Sequence, residues 1–333
     1  MKHISWLLLI VTGISCQSIV TPTITEITAS SYKIKQISRG NNAAKIDLSK
    51  DSLSLFLMAL HFQIPLATIT EELAWNEATK KNNIKRLLEN KLLKKVGENY
   101  LPTLAIFTRT KGGILKEKSA LLAQEISDSL VNKLEAIKKL HYKTDLSKKH
   151  SFHEMSFFYL SSVLLDNGQI NNIEREFLGK KRPFRNGSHY YLAILEKERN
   201  SMMEPFGIYG NQVLHRSDTV IIAVYGNTRT EQHKGWRDYQ HKKIHSFSKN
   251  DLNIVTKQMP QIFLSTFLKI LTKHKANFKK LYTELGFEKE TSFEEFFIWY
   301  YHIIYTQTTD ILIQQQLVTK PTNGLFYYEF KRK

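Results

Sequence analysis

Apolar positions fall into helical periods over most of this chain, with short strand-like runs between them. Leu53, Phe56, Leu57 and Leu60 recur at i, i+3, i+4 and i+7, one face of a helix that Pro65 closes. Thr68 stands three residues before Glu71, the spacing of a capping box, and opens a short helix over 68–75. Asn76 supplies the left-handed residue that a sharp turn needs. A second helix spans about 78–89, with Ile84, Leu87 and Leu88 on one face, and Asn90-Lys91 breaks it. Residues 92–96 and 101–107 read as two strands around Gly97-Glu98-Asn99, with Pro102 tolerated at a sheet edge. A longer amphipathic helix follows over about 115–140, placing Leu122, Ile126, Leu130, Leu134 and Ile137 inward.

Beyond His150, Phe157, Leu160, Ser161, Leu164 and Leu165 predict a short helix, and the turn after Asp166 leads into another over 170–178. Runs at 190–197, 206–214 and 219–225 have the length and spacing of an antiparallel meander. Tyr-Gly-Asn occurs at 209–211 and again at 225–227, each expected as a bulge or strand-end turn. The remainder reads as helices over 261–285 and 293–317 and a strand over 325–330. The last helix carries Phe293, Phe296, Phe297, Trp299, Tyr300, Tyr301 and Tyr305; aromatics on nearly every side predict a buried core helix. The class expected is α+β, mostly helical, with a small antiparallel sheet and long helices.

The chain has 333 residues, 42% of them hydrophobic and 11% aromatic, so it is globular rather than disordered. It has a single cysteine, Cys16, which excludes an intramolecular disulfide. In front of it, Lys2 and His3 precede an apolar run over 4–14, too short to cross a bilayer but the length of a signal-peptide core. With Gly13-Ile14-Ser15-Cys16 at its end, this stretch resembles a bacterial lipoprotein signal. The resemblance implies cleavage before Cys16 and lipidation of Cys16, which becomes the anchor. Gln17 at the next position points to the outer membrane, with the body in the periplasm or at the surface. Residues 16–50, rich in Thr, Ser and Asn, then read as anchor and tether, with one strand near 32–37.

Helix, helix-turn-helix, two-stranded wing, helix: the order over 53–140 resembles a winged-helix domain of the MarR or ArsR type. In such domains the second helix enters the DNA major groove while the wing touches phosphates. The matching positions are Thr79, Lys80, Lys81, Asn83 and Arg86 on the helix and Lys94, Lys95, Arg109 and Lys111 on or beside the wing. Basic residues outnumber acidic ones by 11 to 3 between Lys80 and Lys118. That excess suits counterion release from phosphates, and suits equally well a solvated face on a scaffold for protein contacts. The implied division is a signal peptide at 1–15, anchor and tether at 16–50, a winged-helix-like domain at 51–145 and a mixed domain at 150–333.

Net charge is +17 from 48 Lys+Arg and 31 Asp+Glu, and losing residues 1–15 removes only Lys2, leaving +16. Such a balance fits an anionic partner or, more plainly, a lysine-rich surface. Twelve histidines include the pairs His150/His153, with Glu154 adjacent, and His241/His245. Neither has a His-Glu-x-x-His arrangement, and surface histidines are expected, with no metal or cofactor. Asp166, Glu174 and Glu176 with His153 or Arg175 carry no spacing that implies convergence. Phosphate-binding, nucleophile-elbow and dinucleotide glycine motifs are absent. No catalytic residue is assigned. The sequence therefore favours a membrane-anchored binding or assembly module of the cell envelope, contacting the membrane through its anchor and other envelope proteins. The alternative is a cytosolic winged-helix DNA-binding regulator, the only case in which nucleic acid is a partner. An enzyme with an unrecognised site comes third.

Overall fold

The computed structural model describes residues 21–229 and 242–331. Cys16, the segment 1–15 and His241 lie outside them. The first half contains α1 (Ile24–Ala29), β1 (Ser31–Ser38), α2 (Leu53–His61), α3 (Leu66–Glu72), α4 (Glu77–Glu89), β2 (Leu93–Val96), β3 (Asn99–Pro102), β4 (Ala105–Phe107), α5 (Arg109–Val131) and α6 (Leu134–His141). In the second half α7 (Phe152–Ser156) runs on through π-helical turns to Asp166. It is followed by α8 (Asn167–Asn172), further π-helical turns to Leu178, β5 (Phe184–Arg185) and β6 (Ser188–Lys197). Next come β7 (Gly210–Arg216), β8 (Val220–Gly226), β9 (Ile244–Phe247), α9 (Lys249–Asn253), α10 (Met259–Lys273), α11 (Lys275–Glu284), α12 (Phe293–Gln314) and β10 (Leu325–Lys331). The protein is α+β and mostly helical.

Strand β6 organises the fold. It pairs antiparallel with β1 and β5 and parallel with β4. Successive strand residues face opposite ways: Tyr190, Leu192 and Ile194 enter one core with Phe56, Leu57, Ile69 and Leu87. Tyr191, Ala193 and Leu195 enter a second core with Leu122, Ile126, Phe263 and Phe297. A sheet covered on both faces reads as one continuous apolar run, which is why 190–197 shows no alternation. The expected meander is accordingly corrected: β6 belongs to this central sheet, while β7 pairs with β8 and β8 with β10 in a second sheet of order β7-β8-β10-β9.

The segment expected as tether over 16–50 is built into the body from α1 onward. Thr23 and Glu26 close a capping box on α1, and β1 pairs along its whole length with β6, from Ser31 opposite Lys197 to Ser38 opposite Tyr190. Tyr32 and Ile34 pack on the first core, which offsets the ordering cost of this polar stretch. The expected boundary near 145–150 is crossed as well, because β6 joins β1 and β4 and because Thr308 of α12 donates to the Ala123 carbonyl of α5 at 3.3 Å.

Helix α2 matches its expected face, with Leu53, Phe56, Leu57 and Leu60 all buried. Helix α3 starts earlier than expected, behind Pro65 and without a side-chain cap. The left-handed residue of the following turn is Ala74 (φ 52°). Asn76 is instead extended and caps α4, its Oδ1 accepting from the Thr79 N–H at 2.8 Å. The wing hairpin β2–β3 turns at Gly97, whose φ of 60° favours glycine. Pro102 ends β3 opposite Leu93, and residues 105–107 leave the hairpin to join β6. The helix expected over 115–140 is broken between α5 and α6, and that over 261–285 at His274. The two Tyr-Gly-Asn triplets meet at strand ends, Gly210 opposite Gly226. A Cβ on Gly226 would stand 2.4 Å from the Gly324 carbonyl oxygen, so β10 can approach only a glycine there.

Candidate functional site

The nine basic-face candidates separate into three groups, on α4, on the wing and at the start of α5. On α4, Lys80 pairs with Glu77 at 2.5 Å and Arg86 with Asp51 at 2.7 Å. Asn83 is buried and accepts from Arg86 at 3.1 Å, and Thr79 spends its N–H on the Asn76 cap. Lys81 is exposed to solvent. On the wing, Lys95 lies 3.8 Å from Glu98, whereas Lys94 donates to the Lys289 carbonyl at 2.7 Å and docks the hairpin on the C-terminal half. Arg109 and Lys111 open α5, facing a different hollow from the groove that Lys80 and Lys81 line. Exposed ion pairs are weak, but each counter-ion lowers the local positive excess that phosphates would meet.

The hollow at Arg109 is a half-open cleft of about 750 Å³. Its walls are α1, the start of β1, the end of β6 and the first turn of α5. Four basic side chains reach it, Arg109, Lys111, Lys197 and Arg199, against two acidic ones, Glu26 and Glu196. Both acids are engaged. Glu26 accepts from the Thr23 N–H at 2.7 Å, which holds its carboxyl below the usual range. Glu196 accepts from the Arg109 N–H at 2.8 Å and stands 3.4 Å from the Arg109 guanidinium. Lys111 lies 4.9 Å from the centre of the Phe287 ring, and burial pulls its ammonium below the ordinary lysine value, with Glu290 and Glu288 opposing. Burial pushes the Tyr32 hydroxyl up to about 12, and it donates to the Ile27 carbonyl at 3.1 Å. Lys197 and Arg199 make no ion pair among the described residues. The basic side chains of the cleft thus outnumber its acidic ones, and both acids are already engaged. Sequence reasoning missed Lys197 and Arg199, whose one local signal is the switch from a continuous apolar run to Glu-Lys-Glu-Arg.

The carboxylates considered from sequence do not converge. Asp166 is buried and accepts from Asn211 Nδ2 at 2.9 Å; burial pushes it up to about 7, opposed by Arg229 and Asn211. Around it Ser161 bonds Tyr225 and Thr309, and Tyr328 donates to Asn211 at 2.7 Å. Asp166, Ser161, Tyr225 and Thr309 in this network are buried. Glu174 pairs with Arg39 and Arg182 and Glu176 with Arg175, while His153 meets Thr319. His150, Glu154 and His245 do come together, their ligand atoms all within 4.8 Å, and among the described residues they are the group that could hold a metal. His245 is buried, against the expectation of a surface histidine. The chain matches no protein-family model, no curated protein and no solved structure.

Proposed function

We infer that this chain is a lipid-anchored bacterial envelope protein, held by acyl chains on Cys16, whose body is a binding module for the anionic surface beside its anchor. What carries the inference is the position of the basic cleft. Pro22 forms part of its wall, six residues after Cys16. Six extended residues span at most about 20 Å. An anchored Cys16 thus keeps Lys197 and Arg199 within reach of phospholipid headgroups. Among the described residues no helix is long and apolar enough to cross a membrane. One acyl chain binds only marginally, and a basic patch is the kind of second signal that makes anchoring stable.

The test uses the Cys16→Ser chain and sedimentation with vesicles. Binding is expected to vesicles containing anionic phospholipid and not to neutral ones. A basic residue near an anionic surface contributes about 1 kcal/mol, so Lys197→Ser with Arg199→Ser should weaken binding about tenfold or more. Equal binding to both vesicle types, or no effect of the pair, would overturn the assignment of the cleft. The order of α2, α3, α4 and the β2–β3 hairpin favours the DNA-binding regulator as a second reading. Against it stand the ion-paired Lys80 and Arg86 and the buried Asn83. A sequence-specific footprint at physiological salt, lost when Lys80, Lys81 and Arg86 are replaced by Ala, would promote that reading above the first.

A further inference from the structure

The bend before helix α7, helix α7 itself and strand β9 bring three side chains to one point from positions up to 95 residues apart. His150, just ahead of α7, and Glu154 within it stand four residues apart, with His150 Nδ1 3.1 Å from Glu154 Oε2. From the edge of the second sheet, His245 directs Nε2 to within 3.7 Å of Glu154 Oε1. The geometry points to a divalent transition-metal site of the zinc class, formed by His150 Nδ1, a Glu154 carboxylate oxygen and His245 Nε2.

Three observations support it. Zinc takes nitrogen and carboxylate ligands at about 2.0–2.2 Å, which sets tetrahedral ligand atoms about 3.4 Å apart; the two imidazoles stand 3.1 and 3.7 Å from the two oxygens of Glu154, and the three ligand atoms lie within 4.8 Å of one another. Neither His150 Nδ1 nor His245 Nε2 makes a hydrogen bond, although both atoms are buried. Two such nitrogens turned on one carboxylate, outside hydrogen-bond geometry, are an arrangement that a cation between them would satisfy. His245 is also preset as a ligand. Its Nδ1–H donates to the Tyr327 carbonyl at 3.1 Å, leaving Nε2 with a bare lone pair, and its ring stacks on Phe326 at 4.2 Å. A backbone acceptor on the far nitrogen is the usual outer support of a metal-bound imidazole.

Two imidazoles and one carboxylate suit zinc and its transition-metal neighbours and do not suit calcium or magnesium, which take oxygen ligands. Glu154 is partly exposed, and the exposed Lys243 bonds its carboxylate. Lys243 supplies that carboxylate with a single positive charge; a divalent ion takes its place, and the ammonium moves to solvent. The ion would tie β9, which pairs with β10 alone among the described strands, to α7.

Titrating zinc chloride into the chelator-treated full chain, followed by calorimetry and by intact mass, tests the site. One ion per chain is expected, with affinity lowered about tenfold or more in His150→Gln and in Glu154→Gln. Both positions are partly exposed, so these variants keep their fold where His245→Gln could fail. Lys243→Met should bind more tightly, because the competing ammonium is gone. Absence of zinc binding to the folded chain would overturn the site. So would undiminished affinity in both variants, which would place zinc on other histidines, or calcium binding as tight as zinc.

Discussion

Arg185 and Glu295 form an ion pair at the junction of the two cores, 5% and 1% exposed at their side chains. The guanidinium meets both carboxylate oxygens, at 3.0 and 2.7 Å, and also donates to the carbonyls of Tyr190 and Thr103. Glu295 additionally accepts from the Leu192 N–H at 2.8 Å and from the Thr291 hydroxyl at 2.7 Å. The cluster thus links β5, β6, the β3–β4 connection and the first turn of α12. At 2.7 Å and an effective dielectric of about 20, the attraction is about 6 kcal/mol. Desolvation of the two ions takes back several kcal/mol each, so the pair as a whole contributes little net stability. Removing one partner is another matter. Arg185→Met strands a buried carboxylate and should cost about 3–5 kcal/mol, the lower end because Leu192 and Thr291 still donate to it. At about 2 °C per kcal/mol for a chain of this size, the melting temperature should drop roughly 6–10 °C. Glu295→Gln should cost a similar amount, and the double variant less than the two losses added, by about 1–3 kcal/mol. Calorimetry and urea unfolding measure all three. Because both cores meet on β6, one cooperative transition should move as a unit. A loss under about 1 kcal/mol in Arg185→Met, or two separate transitions of which one alone shifts, would refute the reasoning.

Trp299 and Phe297 lie in α12, 4% and 0% exposed, and either one changed to Ala should cost about 3–5 kcal/mol by lost burial and a cavity, read by urea unfolding. Unchanged melting would remove α12 from the core. Asp166, raised to about 7, binds a proton in the folded chain that the unfolded chain has lost above about pH 4, so its buried carboxyl costs stability progressively from pH 4 up to 7. Asp166→Asn should therefore stabilise the protein by a few kcal/mol at pH 8 and hardly at pH 4, measured by unfolding at both; equal effects would refute it. His302, lowered to about 4 by burial, works in the opposite direction, its contribution being lost as pH falls from about 6.5 to 4. The Asn variant should expose that acid sensitivity, which the two groups otherwise cancel between them.

Local periodicity carried the elements whose burial follows from their own sequence: the face of α2, the β2–β3 hairpin around Gly97, and the aromatic α12. It failed where distant segments decide. The strand expected near 32–37 is β1, but it reads as part of a tether because its polar composition says nothing of β6, more than 150 positions away, whose edge it fills. The strand over 101–107 split because Ala105, Ile106 and Phe107 pair parallel with β6, while Asn99–Pro102 completes the hairpin. Asn76 was assigned to the turn and proved to be the cap, and Ala74 carried the left-handed conformation without a chemical sign of it. At the candidate sites, Arg109 and Lys111 were legible as basic residues, but their partners Lys197 and Arg199 come from the far end of β6. His150 and Glu154 were noticed as neighbours; that His245 faces them depends on the register of β9 against β10, which places it opposite Tyr328.

The proposed function stands first on Cys16. Mass spectrometry of the mature N-terminus, on protein separated into membrane and soluble fractions, tests it most directly. The account predicts membrane-bound chains that begin at Cys16 and carry the mass of its acyl groups, with Cys16→Ser shifting the protein out of that fraction. Soluble chains that begin at Met1 or Lys2 and carry an unmodified Cys16 would contradict it.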